Sequence, residues 1–534
     1  MKSSLPVPCA NERKVKNMIQ VYTNKENYQY DLNALIKAFY PEHEVRVSGA
    51  MDSIVKNSAV QDIDAKNGNV ENGSAENSSE QYIRMQNFDV VYNASEKSQI
   101  IVLFESDRME VFFAIALPKQ YTNVFQETEE ITKNQYKLAF YHDLCDYTGR
   151  TLPWGNLTGI RPTKLPMGML ENNIADENII NILQAEHALS LEKAQLSLEI
   201  AKRERQILGD LHYIDGYSLY IGIPFCPTTC LYCSFTSYPI ARWKKRVREY
   251  LKALFQEIDF IADLYQDRIL DTVYIGGGTP TTLEPQALDA LLAKVRSSFD
   301  FAKVKEFTVE AGRADSITRE KLEVLKKYGV TRISINPQTM KEETLRFIGR
   351  QHTVAQVKEA FAMARAEGFD NINMDIILGL PGEVETDVQN TIAEIVQLNP
   401  DSLTVHSLAI KRASKMNQWI EENGIRTLRN TDSTMKIAQD GAKRLGMNPY
   451  YLYRQKNMSG NFENVGYARE GKYGIYNILI MEEKQTIVAC GAGSISKRVY
   501  SDGRIERCEN VKDVSQYIAR IGEMIERKRV LLED

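Results

Sequence analysis

Between Tyr217 and Ile410, six short β-prone runs alternate with amphipathic helical segments. The runs are YSLYIGIPF, DTVYIGGG, EFTVEA, RISINPQ, NINMDIILGLP and SLTVHSLAI. The stretches between them include WKKRVREYLKALFQEIDFIADLY, REKLEVLKKYG and VAQVKEAFAMARAEGF, which repeat apolar residues at helical spacing. Strands separated by helices pair in parallel through right-handed crossovers. Six such units predict an α/β fold, and favour a partial (β/α)6 barrel open at one side over a doubly wound sheet. In either form ligands bind at the C-terminal ends of the strands.

The sequence on either side reads differently. From about Met18 to Leu117, the runs IQVY, DVVY, QIIVLFE and EVFFAIAL read as strands around a short helix, YDLNALIKAFY. The polar stretch KNGNVENGSAENSSEQ cannot bury a core, and is expected to be a disordered insert at about 50–80. A helix is expected at roughly 133–147. LPWGNLTGIRPTK follows as a linker, and more helix at about 176–208. This divides the chain into an α+β domain (1–165), a helical linker (166–212), the barrel (213–412) and a C-terminal α+β extension (413–534). The extension carries a helix at roughly 432–445, a Tyr-rich stretch, the apolar strand TIVAC and a charged closing helix.

The bulk properties exclude several classes. A chain of 534 residues, 43% hydrophobic and 26% charged, is ordinary globular material. A net charge of −5 gives no broad basic field for nucleic acid or a membrane surface. No apolar run reaches the roughly 20 residues that cross a bilayer, and the N-terminus lacks the apolar core of a secretory signal. Seven irregularly spaced cysteines argue against a disulfide framework, so the cytoplasm is the expected compartment.

Three of those cysteines crowd one loop. Cys226, Cys230 and Cys233, in PFCPTTCLYC, directly follow the first barrel run. Three thiolates spaced in this way can hold three corners of a [4Fe–4S] cluster, leaving one iron open for chemistry. The alternatives are a structural zinc site with a fourth ligand such as His212, or three unligated thiols. After the second run, Gly276, Gly277 and Gly278 would let backbone approach a ligand and offer N–H groups, and Thr279 adds a hydroxyl. The plain reading of that run is a turn. Glu310, Gln338 and Asp375 end or line successive strands, which favours a ligand in one shared mouth. Arg350 and His352 would cap it, or lie in a solvated loop. Cys490 in its apolar strand reads as a core residue.

Taken together, YIGIPFCPTTCLYC, YIGGGTPT, TVEAG, SINPQ, GRQHT and DIILGLPGE resemble the radical S-adenosylmethionine (SAM) superfamily, over roughly residues 215–500. More narrowly they resemble the oxygen-independent coproporphyrinogen III dehydrogenases. The N-terminal zone, LPWGNLTGIRPTK and RQKNMSGNFENVGY are similar to the HemZ-type branch. The resemblance implies a radical SAM barrel, with Cys226, Cys230 and Cys233 as cluster ligands and one or two SAM molecules. It further implies that Tyr220, Tyr232, Gly277, Gly278, Thr279, Glu310, Gln338, Arg350, Asp375 and Ala409 contact SAM. In such enzymes the open iron chelates SAM, one electron cleaves it, and the resulting radical turns two propionates of coproporphyrinogen III into vinyl groups, giving protoporphyrinogen IX. The implied partners are that porphyrinogen substrate, whose site the extension completes, and a reductant such as flavodoxin or ferredoxin. No membrane or nucleic acid is expected.

Two positions depart from the dehydrogenase pattern: Phe235 stands where a further cysteine is expected, and Gly222 where a histidine is. The Phe235 form resembles the heme-chaperone (HemW-type) branch, so a heme-trafficking protein is the alternative. The substrate's carboxylates require cations, for which Lys411, Arg412, Arg454 and Lys456 are the candidates.

Overall fold

The structure, a computed structural model, describes residues 18–49, 55–56, 80–85, 88–93, 98–104, 107–115, 117–125, 131–159, 161–409, 414–423, 430–455 and 462–533. The chain forms two compact units: Met1–Thr158 with Asn181–Lys193, and Gly159–Ile180 with Ala194–Asp534.

The first unit contains β1 (Met18–Thr23), β2 (Glu44–Ser48), β3 (Val55–Lys56), β4 (Glu80–Met85), β5 (Phe88–Asn93), β6 (Gln99–Phe104), β7 (Arg108–Ala114) and β8 (Lys119–Val124). Its main sheet runs β2-β1-β6-β7-β8. β1 is parallel to both neighbours and the β6–β7–β8 part is antiparallel. A separate sheet has the order β3-β5-β4. Helices Gln29–Phe39 and Lys133–Thr148 share a core with the main sheet through Leu35, Ile36, Phe39, Phe113, Phe140 and Leu144. The second helix starts where its cap dictates: Thr132 accepts the Gln135 N–H, while Gln135 accepts the Thr132 N–H at 2.7 Å. The expected insert at about 50–80 lies mostly outside the described residues.

The second unit is built on β9 (Gly216–Ile223), β12 (Ile269–Gly277), β13 (Glu306–Glu310), β14 (Arg332–Ser334), β15 (Ile372–Leu378) and β16 (Ser402–Ser407), all parallel and neighbours in that order. A short parallel pair, β10 (Phe225–Cys226) and β11 (Tyr238–Pro239), straddles the cysteine loop. The six strands of the expected (β/α)6 barrel are therefore present. The extension covers both of its edges. On one side β18 (Asn464–Ala468) pairs antiparallel with β16 and carries β17 (Asn448–Tyr453). On the other, β19 (Thr486–Cys490) lies parallel to β9 and leads to β20 (Ile495–Val499) and β21 (Ile505–Glu509).

The two-residue alternation of a strand sorts these sequences into two faces. Leu219, Ile221, Val273, Ile275, Phe307, Val309, Ile333, Met374 and Val405 form the buried apolar half. Each contributes about 1.5–3 kcal/mol by leaving water. The alternate positions are polar and lie in register across strands: Ser218 beside Thr272, Thr272 beside Glu306, Tyr220 beside Tyr274, Tyr274 beside Thr308, Glu310 beside Ser334, and Asp375 beside Thr404. A barrel filled only for stability carries branched apolar residues inside. This one carries hydrogen-bonding groups.

Low in the barrel those groups satisfy one another. Arg332 donates to Ser402 (2.9 Å), Asn371 (3.0 Å) and the Lys472 carbonyl (3.0 Å). Above it, Tyr476 from helix Ile475–Glu482 stacks on Tyr274 (ring centroids 4.5 Å apart), and Tyr220 stacks on both at 6.1 Å. Three aromatic rings thus form a floor beneath the strand ends. Among the described residues no helix is long and apolar enough to cross a membrane.

Candidate active site at the barrel mouth

The strand after which each residue falls decides its place. Cys226 follows β9 by way of Pro224, and Cys230 and Cys233 lie in the loop closed by β10 and β11. Backbone bonds pin this loop across the mouth: the Leu231 N–H donates to the Ile348 carbonyl (3.0 Å) and the Met416 N–H to the Leu231 carbonyl (3.0 Å). Thr228 Oγ1 donates to the Gly349 carbonyl at 2.8 Å. All three thiols are free. Burial pushes the Cys226 thiol up to about 11, and the nearby Cys233 and Cys230 add to the rise; burial also raises Cys233.

Each sulfur has a hydrogen-bonding neighbour. Thr279 Oγ1 lies 3.5 Å from Cys226 Sγ, Ser237 Oγ 3.9 Å from Cys233 Sγ, and Arg313 Nη1 3.7 Å from Cys230 Sγ. No three His, Cys, Asp or Glu side chains among the described residues converge as one chelated ion requires. Cys226, Cys230 and Cys233 lie near enough to one another for their charges to interact. The zinc alternative loses its fourth ligand. His212 precedes β9 rather than following it, and its Nδ1 is engaged by Asp271 at 2.8 Å.

The glycine run is a cradle, but not the one expected. Cβ atoms would meet the Tyr274 ring at 2.7 Å and Glu310 Oε1 at 2.9 Å from position 276, and the Phe225 carbonyl at 2.6 Å from 278. Gly277 sits at φ +105°, which side-chain-bearing residues rarely adopt. The expectation that this run offers N–H groups is corrected. The Gly278 N–H donates to the Ile223 carbonyl (2.8 Å) and the Thr279 N–H to the Phe225 carbonyl (2.7 Å), while the Gly277 N–H binds Glu310.

Glu310 ends β13 beside this cradle and accepts the Tyr274 hydroxyl at 2.5 Å. Burial pushes its carboxyl up to about 7; the Tyr274 bond opposes the rise and the charge of Asp375 adds to it. Burial acts on Asp375 too. There it is outweighed by His406, Asn373 (2.6 Å) and Thr404, which hold Asp375 below its ordinary range. His406 Nε2 is 3.7 Å from Asp375 Oδ2, and its Nδ1 is 3.3 Å from the Tyr453 hydroxyl. Gln338 stands at φ +67°, an uncommon conformation for a residue with a side chain. Its backbone bridges to β15 through the Asp375 carbonyl and the Ile377 N–H, both at 2.9 Å. Ala409, half-buried, follows β16.

Arg350 and His352 do not lie in a solvated loop; both are buried. Arg350 is buried and donates to the Gly312 (3.1 Å) and Asn336 (2.6 Å) carbonyls and to the Tyr232 hydroxyl (3.2 Å). Its buried Nε has no hydrogen-bond partner, which leaves one donor for a ligand. His352 is buried with Nδ1 3.7 Å from Asp315. Asp315 in turn receives Arg313 in a two-point pair at 3.0 and 2.6 Å. Arg313 was missed from the sequence, and its only signal there was a cation three residues after Glu310. Tyr274, Tyr476, His406 and Tyr453 were missed as well. Of the expected substrate cations, Arg454 is buried beside Glu463; Lys411, Arg412 and Lys456 lie outside the described residues. Cys490 is a fully buried core residue, as expected.

Comparison with known proteins agrees with this geometry. Residues 220–395 match the radical SAM superfamily, which uses a [4Fe–4S] cluster and SAM. The oxygen-independent coproporphyrinogen-III oxidase-like protein HemZ of Bacillus subtilis is 41% identical over 428 residues, 78% of this chain and 85% of that one. Heme chaperone HemW of the same organism is 40% identical over 196 residues, 36% of this chain and 51% of that one. The solved structure of coproporphyrinogen III oxidase HemN from Escherichia coli, described as a radical SAM enzyme, aligns with a TM-score of 0.47 and 22% identity, covering 62% of this chain and 73% of that one. With its three thiols on the rim of a parallel barrel and a HemZ protein matched along most of both lengths, the chain belongs to the radical SAM superfamily, in the family of the HemZ-type oxygen-independent coproporphyrinogen-III oxidase-like proteins.

Proposed function

We propose that the protein oxidatively decarboxylates propionate side chains of coproporphyrinogen III to vinyl groups, without oxygen, in porphyrin synthesis. The observation that carries the reading is the 41% identity to the HemZ protein along 85% of its length, joined to a polar barrel interior that opens on three thiols. Cys226, Cys230 and Cys233 would hold the cluster. When bound, the cluster and SAM supply one-electron cleavage of a sulfonium bond and, through it, hydrogen-atom abstraction.

The chain's own residues prepare that chemistry. The segment Gly277, Gly278 and Thr279 and the Glu310 carboxyl would hold the amino end of SAM. Gln338, Asp375, Tyr232 and the spare Nε of Arg350 would hold its remaining polar groups, and Ala409 would leave room beside them. Tyr220, Tyr274 and Tyr476 seal the floor, so that water does not quench the reaction from below. Arg313 keeps the Cys230 turn in place through Thr228 (3.0 Å).

A second reading has a specific observation behind it. Phe235 replaces the further cysteine of the dehydrogenases, and 196 residues of the chain are 40% identical to a heme chaperone. On that reading the protein binds and delivers heme. An anaerobic assay of the reconstituted protein with SAM, dithionite, an electron acceptor and coproporphyrinogen III decides. Deoxyadenosine together with a vinyl product supports the enzyme. Tight heme binding with no porphyrinogen turnover refutes it in favour of the carrier.

A further inference from the structure

The proposed chemistry consumes an electron, and the segment after the cysteine loop is built to receive its donor. Residues 240–249 read IARWKKRVRE, five cations against one anion in a chain whose net charge is −5. Arg242, Lys244, Lys245 and Arg248 are exposed. Arg246 is engaged, pairing with Glu249 at 3.0 Å and bonding Ser515 at 2.7 Å, and Lys244 lies 3.3 Å from Glu284. Arg242, Lys245 and Arg248 make no hydrogen bond or ion pair with another described residue, so their charge is turned to solvent.

This patch is physically tied to the thiols. β11 pairs with β10 so that Pro239 lies opposite Cys226. Paired strands are about 4.8 Å apart and a helix rises about 1.5 Å per residue, so the backbone of Arg242 lies on the order of 10 Å from that of Cys226. Phe235, 68% exposed, is two residues from Cys233, at most about 7 Å of extended chain. An exposed aromatic ring and three exposed cations, all within a short stretch of chain from the thiols, are the composition of a small electron-transfer contact. Such a contact is weak, steered by charge and sensitive to salt.

We infer that the face formed by Phe235, Arg242, Lys245 and Arg248 docks an acidic one-electron carrier protein that reduces the cluster at Cys226, Cys230 and Cys233. In each encounter the carrier is oxidised by one electron and the cluster reduced by one. This rests on the cluster assignment above, and the test separates the two. The full chain is reconstituted anaerobically, and bleaching of the cluster absorbance is followed with reduced flavodoxin as probe and, separately, with dithionite. The double variant Arg242→Glu, Lys245→Glu should lower the flavodoxin-driven rate about tenfold or more at low salt and flatten its salt dependence, while dithionite reduction stays unchanged. Lys303→Glu, Lys305→Glu alters the charge equally. Both residues are exposed and immediately precede β13, at the opposite end of the barrel from the thiols, and this variant should behave as wild type. Equal flavodoxin rates in wild type and the first variant, or equal slowing in both variants, would overturn the docking face. A wild-type protein with no cluster reducible by dithionite would instead defeat the functional proposal.

Discussion

Glu310 offers the sharpest test of how burial at the mouth works. Its carboxyl is pushed from 4.5 up to about 7, first by burial and then by the charge of Asp375, against the opposing bond from Tyr274. The raised value means that the folded protein prefers the protonated acid. Below pH 4.5 both folded and unfolded chains carry the proton and there is no penalty. As pH rises towards 7 the unfolded chain ionises first, so stability is lost across that window and the loss is complete above it. A gap from 4.5 to about 7 corresponds to roughly 3 kcal/mol. That is a ceiling, because the carboxyl borders the open mouth. Glu310→Gln keeps an acceptor for Tyr274 and removes the ionisation. The ligand-free variant should match wild type near pH 5 and become more stable as pH rises to 8. For a unit of roughly 360 residues, the difference is about 4 °C in the unfolding midpoint. Thermal unfolding of both proteins between pH 5 and 8, tracked anaerobically, measures this. A midpoint difference that stays constant with pH would refute the burial argument.

Arg313→Met removes a cation 3.7 Å from Cys230 Sγ. The reconstituted cluster should keep its iron but show a midpoint potential lower by on the order of 40 mV, about 1 kcal/mol; an unchanged potential in a redox titration contradicts the contact. Gly278→Ala would place a Cβ 2.6 Å from the Phe225 carbonyl. The expected cost is about 1–3 kcal/mol, with less iron bound per chain after reconstitution, and normal iron loading would show that the cradle can give. Lys528 and Glu257 form a fully buried pair at 2.5 Å, with Asn510 2.6 Å from Lys528 and the Tyr517 hydroxyl 2.5 Å from Glu257. Lys528→Met should destabilise by about 3–5 kcal/mol in denaturant unfolding, with much of the loss recovered when Glu257→Met is added. Equal instability of the single and double variants would show that packing, not the stranded charge, sets the cost.

Much of the candidate site was legible because its signals are local. Cys226, Cys230 and Cys233 declare themselves by spacing, Gly276–Gly278 and Glu310 by standing at the ends of β-prone runs, and Asp375 by being a lone carboxylate within one. The six strands followed from a change of period that any short window contains, as did the helices expected at roughly 133–147 and 432–445, which run 133–148 and 432–444 behind Thr132 and Thr431 caps. What stayed hidden depends on pairs far apart in the chain. Nothing around TIVAC says that it will lie against β9, some 270 residues earlier. Nor does anything near Tyr476 say that it will stack on Tyr274 and close the floor. The role of the glycine run was misread for the same reason, since whether its N–H groups are free depends on how close the Ile223 and Phe225 carbonyls come.

By itself, then, the sequence determined the parallel units and the thiol loop, because periodicity, strand termini and ligand spacing are properties of contiguous residues; the kind of cofactor followed from the family resemblance of the motifs around them. Only the tertiary structure decided that the polar half of each strand turns inward, that Arg313 reaches Cys230 while Arg350 braces Tyr232, and that Glu310 and Asp375 titrate in opposite directions. Those outcomes depend on which side chains are brought together and how much water is left between them, and chain order encodes neither.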